Sequence, residues 1–360
     1  MLVRTVTLTN ARGRSRLTVD LGPRLTILVG PNGAGKTTVI EALALVLQGT
    51  VIRGGIIRDF IKHGEDLLRI EVVLQSSART TVTAAAAFTR QGERKLTADG
   101  AQLEDASRWR EMVPVRTFIP DDLRLIKGSP RRRREYVDGL TAHRDPAHRS
   151  TLRQYEEALG QRNSLLRGYT SSFDGRQFVP WERILAQTGA VISRGRARRL
   201  QEFVGPFQEL HRDLTGDESA SIRLVYRSNV ADLDVEAYET RLAEMREADR
   251  RRTFTHLGPH RDDLRLIRRN LDMRDCASQG EQRAAILTLV LAEWAETGTG
   301  EERPLLLLDD VMSELDEERR RALVAIVQRG GQTVVTTTDL RYFTDEEIAA
   351  ATVIKLTSDS

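Results

Sequence analysis

A glycine-rich loop set between an apolar strand and a helix constrains this chain more than any other stretch. Gly30–Thr38 reads GPNGAGKTT, after the run Leu25-Thr26-Ile27-Leu28-Val29 and ahead of a helical pattern from Thr37 to Leu47. This is G-x-x-x-x-G-K-[ST] in the strand–loop–helix setting that a phosphate-cradling loop requires. Successive backbone N–H groups of such a loop converge on one nucleotide's phosphates, and the helix N-terminus adds partial positive charge beneath them. Lys36 is placed to reach the β and γ phosphates, and Thr37 to offer its hydroxyl to Mg²⁺. A purely structural turn would need the glycines but not the Lys-Thr pair.

The 360 residues suffice for two or three lobes with a large core. Hydrophobic content of 40% and charged content of 30% fit a soluble globular protein. No apolar run approaches the roughly 18 residues of a membrane span, and the first residues lack the apolar core of a signal peptide. A lone cysteine, Cys276, excludes an intramolecular disulfide. The expectation is a cytoplasmic protein with no membrane partner.

Period-two patterns at 2–9 and 16–20 predict a hairpin, and Arg69–Leu74 with Thr80–Thr83 predict a second antiparallel pair. Residues 90–104 read as polar and turn-rich. Val115–Ile119 is a short strand closed by Pro120. From Asp121 to about Arg252 the pattern turns helical and basic, interrupted by Gly205 and Pro206, with Ile222–Tyr226 as a lone strand. No heptad lasts long enough for a coiled-coil arm. The expected organisation is an ATPase lobe in two parts, 1–119 and 253–360, with a helical Arg-rich lobe at 120–252 between them.

Leu305-Leu306-Leu307-Leu308 predicts a strand buried on both faces of a parallel sheet. It ends in Asp309-Asp310, where a carboxylate stands beside the Mg²⁺ of a phosphate-loop site. Asp309 is the candidate metal-holding residue and Asp310 the candidate catalytic carboxylate acting on the attacking water. Ser278-Gln279-Gly280-Glu281 opens an apolar helix ahead of this strand, as a signature motif closing over ATP from a second subunit does. ATP binding and dimerisation would then be linked.

Net charge is only +3, yet arginine far outnumbers lysine and is clustered at Arg131–Arg134, at Arg194, Arg196, Arg198 and Arg199, at Arg250–Arg252, and at Arg261, Arg265, Arg268 and Arg269. A single cluster suits a solvated, salt-bridged helix face. Several in one region suit a phosphate backbone, because guanidinium groups donate paired hydrogen bonds.

GPNGAGKT, SQGEQ and LLLLDDVMSELD together resemble the ATP-binding-cassette heads of the SMC type. Gly258-Pro-His-Arg-Asp-Asp-Leu264 and Ile119-Pro-Asp-Asp-Leu-Arg-Leu-Ile-Lys-Gly-Ser-Pro130 narrow the resemblance to the RecF family, over almost the whole chain. The resemblance implies an α/β fold: a phosphate-loop head with a mixed sheet and flanking helices, a helical second lobe and no long coiled coil. It implies an ATP-dependent homodimer that recognises single-strand/double-strand junctions in gapped DNA, works with the RecR mediator protein and helps load RecA, with slow DNA-stimulated ATP hydrolysis. Carried over by position, Gly30, Asn32, Gly33, Gly35, Lys36, Thr37, Thr38 and Arg12 bind ATP, Thr37 and Asp309 hold Mg²⁺, and Asp310 is catalytic. Ser278, Gln279, Gly280 and Glu281 form the signature acting in trans, and Ser313 and Asp316 belong to the dimer loop. Departures from the cassette pattern are Gln279 in the signature, Asp310 where many cassettes have Glu, Asp121 and Asp122 at the glutamine-loop position, and Thr336-Thr-Thr-Asp339 where a switch His would stand.

Two other readings fit parts of the pattern: an SMC-like head with a structural or signalling role, and the nucleotide-binding subunit of a transporter. The first calls for long coiled-coil arms, and the second for a shorter stretch between Lys36 and Ser278 and a surface for membrane helices.

Overall fold

The computed structural model describes residues 1–49, 51–52, 56–168, 175–217, 222–298 and 303–357, without the side chain of residue 107. Strands β1 (Leu2–Ala11), β2 (Arg14–Asp20) and β3 (Leu25–Val29) precede helix α1 (Lys36–Gln48). Strands β4 (Leu67–Gln75), β5 (Thr81–Thr89), β6 (Arg94–Ala98), β7 (Ala101–Leu103) and β8 (Val115–Phe118) follow. Helices α2 (Pro130–Arg144), α3 (His148–Arg167) and α4 (Val179–Thr215) come next, then β9 (Ile222–Arg227), α5 (Val235–Glu244), β10 (Asp263–Arg268), β11 (Leu271–Asp272) and α6 (Gln279–Glu296). The described chain ends with β12 (Leu305–Leu308), α7 (Glu317–Gln328), β13 (Thr333–Thr337) and β14 (Thr352–Lys355).

Two compact units emerge: Met1–Asp122 with Leu210–Asp217 and Arg283–Ser360, and Leu123–Glu209 with Glu218–Gln282. The first unit holds two sheets. One is antiparallel with strand order β2-β1-β4-β5-β6-β7, and the other is parallel with order β14-β3-β13-β12-β8. Helix α1 contacts β1, β4 and β5 of the first sheet and β8 and β13 of the second. This explains its composition: Val39 to Leu47 is buried on every side, as expected of a helix with no solvent face. Leu305–Leu308 and Thr333–Thr337 are buried throughout, as central strands of a covered parallel sheet must be.

The second unit is helical, with the antiparallel sheet β11-β10-β9. Its apolar core includes Tyr155, Leu185, Ala186, Ile192, Tyr238 and Leu242. A buried ionic network lies beside that core. Arg162 is fully buried and donates to Glu182, Asp249, Thr255 Oγ1 and the Leu242 carbonyl. Arg246 also pairs with Glu182. Removing one partner from such a network strands a buried charge, at a typical cost of about 3–5 kcal/mol.

Several sequence expectations are corrected. Residues 94–98 and 101–103 are strands, with Arg94 and Lys95 both exposed and Leu96 and Ala98 the buried positions of β6. Gly205 and Pro206 do not interrupt: α4 runs through them for 37 residues. Ile222–Tyr226 is not a lone strand, since β9 pairs with β10 from Ile222↔Arg268 to Arg227↔Asp263. That pairing keeps Asp263–Arg268 with the second unit, so the boundary expected after residue 252 lies after Gln282, and the boundary expected after 119 lies after Asp122. Many clustered arginines are structural: Arg133 pairs with Asp263, and Arg196 with Asp138 and Asp262, each guanidinium almost completely buried.

The stretch Gly258–Leu264 is woven into this second unit. His260 Nδ1 lies 2.6 Å from the Tyr155 hydroxyl, and Nε2 lies 2.9 Å from the Thr255 carbonyl. The carbonyl can only accept, so Nε2 carries the proton and Nδ1 accepts from Tyr155. Burial pushes His260 down to about 4, opposed by its hydrogen bond to the Thr255 carbonyl and by Asp249 and aided by the nearby Arg261 and Arg134. The unfolded chain therefore takes up the proton near pH 6.5, whereas the folded chain does so only near pH 4. Stability is complete above pH 6.5 and declines as pH falls through that window, by about 3 kcal/mol in all. Urea midpoints measured at pH 7.5 and pH 5 should show about 2 kcal/mol of this loss, and His260→Gln should flatten it.

Candidate nucleotide site

The parallel sheet sets the site. Its strands all end on one edge, where the loops after β3, β12 and β13 emerge, and open α/β sheets bind ligands at that edge. A cleft of about 570 Å³ is lined there by Arg12, Gly13, Arg14, Asn32, Gly33, Gly35, Lys36, Thr37, Thr38, Pro120, Asp309, Asp310 and Thr336.

The loop geometry follows from its glycines. Gly35 sits at the N-cap of α1 with φ 91°, a conformation that side-chain-bearing residues rarely adopt. At Gly30, a Cβ would lie 2.1 Å from the Leu356 carbonyl, so only glycine lets β14's exit pack this closely on the loop. No side chain caps the α1 N-terminus, which leaves its first-turn amides turned to the cleft. Arg14, almost fully buried, donates to the Ala34 carbonyl at 2.7 Å and to the Thr357 carbonyl, fastening the loop from behind.

Lys36 Nζ donates to the carbonyls of Gly30 at 2.7 Å and Pro31 at 2.9 Å, folding back over the loop. Burial lowers its pKa below the usual lysine value, while Asp310 and Asp309 act in the opposite direction. Asp309 ends β12 almost fully buried. It accepts from Thr37 Oγ1 at 3.0 and 3.1 Å and from Thr336 Oγ1 at 2.8 Å. Thr336 Oγ1 in turn accepts from the Asp310 amide at 2.8 Å. Asp310 takes φ 50°, and its Oδ1 is buried with no hydrogen-bond partner among the described residues. Arg12 stands at the mouth, bonded to the buried Glu41 at 2.6 Å with its guanidinium 5.1 Å from the Phe60 ring centre.

The structure thus brings together around one cleft Arg12, Asn32, Gly33, Gly35, Lys36, Thr37, Thr38, Asp309 and Asp310, with Gly30 bonded to Lys36. Ser313 and Asp316 are exposed in the same unit. Ser313 Oγ donates to the Asp310 carbonyl at 2.9 Å, and Asp316 caps α7 by accepting from Arg319 N. Ser278, Gln279, Gly280 and Glu281 belong to the second unit and line no part of this cleft. There Ser278 N–H donates to Glu281 Oε2 at 2.8 Å and Glu281 N–H to Ser278 Oγ at 3.3 Å, a reciprocal cap on α6. The Ser278 amide, seconded by Arg268 at 2.5 Å, holds the Glu281 carboxyl below its usual range.

Among the described residues no three His, Cys, Asp or Glu side chains converge as a metal cluster. Mg²⁺ in phosphate-loop sites needs fewer protein ligands, because the substrate phosphates supply the rest. The Thr37 hydroxyl and the Asp309 carboxylate are hard oxygen donors already side by side, and so fit that ion. Sequence reasoning left Thr336 without a role and missed Arg14. The signal for Thr336 lay in the parallel register, which sets Leu308 beside Val335 and so brings the following residues together.

The family model RecF/RecN/SMC N terminal domain matches residues 2–358. A relative from Heliobacterium modesticaldum, DNA replication and repair protein RecF, is 34% identical over 323 residues, covering 88% of this chain and 86% of the relative. The chain belongs to the RecF family. A RecF from Anaeromyxobacter sp. (strain Fw109-5) is 33% identical, covering 82% of this chain and 80% of that one. Among solved structures, the recombination mediator protein RecF with ATP, of the RecFOR pathway, is 26% identical with a TM-score of 0.79, covering 94% of this chain and 92% of that chain. An Smc head bound to the C-winged helix domain of ScpA, 15% identical with a TM-score of 0.59 over 98% of this chain and 93% of that one, shares the fold. The fold is therefore the ABC-type ATPase head with a helical second unit, and no long coiled coil occurs among the described residues. No described helix is long and apolar enough to cross a membrane.

Thr336→Val keeps the shape of the side chain and removes both hydrogen bonds that join Asp309 to Asp310. Stability should fall by about 1–3 kcal/mol, read from the midpoint of urea unfolding of the nucleotide-free protein.

Proposed function

We propose that this protein is an ATP-binding and ATP-hydrolysing recombination mediator that acts on gapped DNA. The observation that carries the ATP-site reading is the Thr37–Asp309–Thr336–Asp310 hydrogen-bond chain beside Lys36 and the uncapped head of α1. Thr37, Asp309 and Asp310 are groups that a nucleoside triphosphate, its cation and the attacking water would engage, and the buried Thr336 holds the two acids together. The RecF relatives, and the RecF–ATP structure this chain matches, support the same assignment.

In this reading, Lys36 leaves the Gly30 and Pro31 carbonyls for the β and γ phosphates, and the amides of the loop from Asn32 to Thr38 bind their oxygens. Thr37 and Asp309 hold Mg²⁺, which neutralises charge on the β and γ phosphates when bound. Arg12 adds a guanidinium at the cleft mouth. Asp310, with a carboxylate oxygen lacking a partner, orients the attacking water and accepts its proton. Ser278, Gln279, Gly280 and Glu281 of a second copy close over the γ phosphate, and Ser313 and Asp316 lie along the dimer contact. ATP then drives homodimerisation, and slow DNA-stimulated hydrolysis reverses it. The dimer recognises single-strand/double-strand junctions, works with RecR and helps load RecA, in the cytoplasm.

The test uses nucleotide affinity and light scattering. Lys36→Met should lose ATP binding by calorimetry. Asp310→Asn should keep ATP affinity but cut turnover by at least about a hundredfold and accumulate an ATP-bound dimer; unchanged turnover would remove Asp310 from catalysis. Ser278→Arg should bind ATP normally and stay monomeric. A dimer of that variant in ATP would contradict the role of the signature in trans.

A further inference from the structure

Most arginines are not buried, and one exposed group lies at an exposed aromatic ring, Phe254. The short helix Arg246–Arg252 ends with Thr253 N–H bonded to the Arg250 carbonyl at 3.1 Å and Phe254 N–H to the Asp249 carbonyl at 3.3 Å. These are the two bonds of a Schellman ending, in which the residue after the left-handed position normally turns its apolar side chain back on the helix. Here the left-handed residue is Thr253, φ 64°, a conformation unusual for a β-branched side chain. The residue that follows, Phe254, stays 39% exposed.

The ring is held in place. Its centroid lies 4.1 Å from that of His256 at 31°, and the Arg261 guanidinium lies 5.8 Å from its centre. His256 is itself fixed by the buried Asp249 at 2.8 Å. Arg261 is exposed, and so are Arg251 and Arg252 in the last turn of the helix that precedes Phe254. Glu247 is shared by Arg250 and Arg251, whereas neither Arg252 nor Arg261 has an ion pair with a described residue. The other acids nearby, Asp249 and Asp262, are buried and engaged by arginines. Arg134 donates to the Asp262 carbonyl at 2.9 Å, and burial lowers it below the usual arginine range, with Arg196 and Arg261 acting the same way and Asp262 and Asp263 opposing them.

We propose that Phe254, Arg252 and Arg261 form a contact surface for the single-stranded side of a DNA junction, Phe254 stacking on an unpaired base while Arg252 and Arg261 take its phosphates. Pre-set aromatic rings among guanidinium groups bind single strands this way, since every base offers a π-face whatever the sequence. The proposal deepens the DNA-binding reading above and rests on it.

The test uses the full chain with ATP and two probes: a blunt duplex, and a gapped duplex with 2-aminopurine at the first unpaired position. Phe254→Ala should weaken binding of the gapped probe about tenfold, abolish the change in 2-aminopurine fluorescence and leave duplex affinity unchanged. Phe254→Trp should restore both. Arg252→Ala with Arg261→Ala should weaken both probes and reduce the slope of log affinity against log salt by about 1–2. Unaltered ATP affinity in every variant checks the fold. If the wild-type protein binds the gapped probe and the variants bind it equally well at both salts, the proposal is overturned and the surface serves something other than DNA. If the wild-type protein binds neither probe with ATP at any salt, the DNA-binding reading itself falls and takes this proposal with it.

Discussion

Asp309 has almost no exposed surface, yet it joins three segments that lie far apart in the chain. It ends β12, accepts from Thr37 at the head of α1 and accepts from Thr336 at the end of β13. A buried carboxylate with no donors would be costly, and these hydroxyls are what make it tolerable. The same bonds set the loop after β3 against the exits of β12 and β13. The parallel order β14-β3-β13-β12-β8 makes this possible, because neighbouring parallel strands deliver their carboxyl ends to one edge. The cleft follows from that topology: a phosphate loop, an acid pair and a threonine hydroxyl meet without any long side chain having to reach.

What the sequence revealed of this arrangement was whatever depends on local chemistry. GPNGAGKTT declares itself because the loop needs glycines, a lysine and a hydroxyl at fixed spacing. Leu305–Asp310 declares itself because a strand buried on both faces leaves an unbroken apolar run before its acids. The parallel partnership that sets Thr336 beside Asp309 is not local, so that threonine could be noted but not assigned. β6 and β7 escaped for a different reason: β6 shows only the brief alternation Leu96-Thr97-Ala98 and β7 is three residues long, too little to mark a strand. The run of α4 through Gly205 and Pro206 was likewise hidden, since neighbouring packing overrides propensity in a helix carrying Leu200, Phe203, Phe207 and Leu214 as buried residues.

Arginine clustering was the least reliable guide, and the structure explains why. In Arg131–Arg134 the side chains differ in fate: Arg131 is exposed beside Glu135, Arg132 is exposed, Arg133 is buried on Asp263 and Arg134 is half-buried. In the next cluster Arg196 and Arg199 face inward, and Arg194 and Arg198 face solvent. Helical periodicity splits each run between an ion-paired interior and a wet surface, and the acids that receive the interior half come from distant parts of the chain. Gly258–Leu264, which narrowed the resemblance to one family, belongs to that interior. His260 and Asp262 hold α3, α4 and β9 together through Tyr155, Arg196, Ser193 and Tyr226. A motif can therefore be distinctive for a family because it secures a buried polar network rather than because it touches a ligand.

The signature stretch carries a related tension. Ser278 and Glu281 satisfy each other's backbone amides, and Arg268 holds the Glu281 carboxylate in place. The head of α6 already has an internal anion where a phosphate from a second copy would arrive in the proposed dimer. Two negative groups cannot share those amides, so closure would require Glu281 to give up the Ser278 N–H, releasing a cap worth about 1 kcal/mol. A transporter-type glycine at the Gln279 position would leave this cap unchanged, because the competition is set by Glu281, three residues after Ser278. In the proposed dimer, the acid that caps the helix in the single chain would oppose closure over nucleotide, and the strength of that dimer would depend on the Arg268–Glu281 pair.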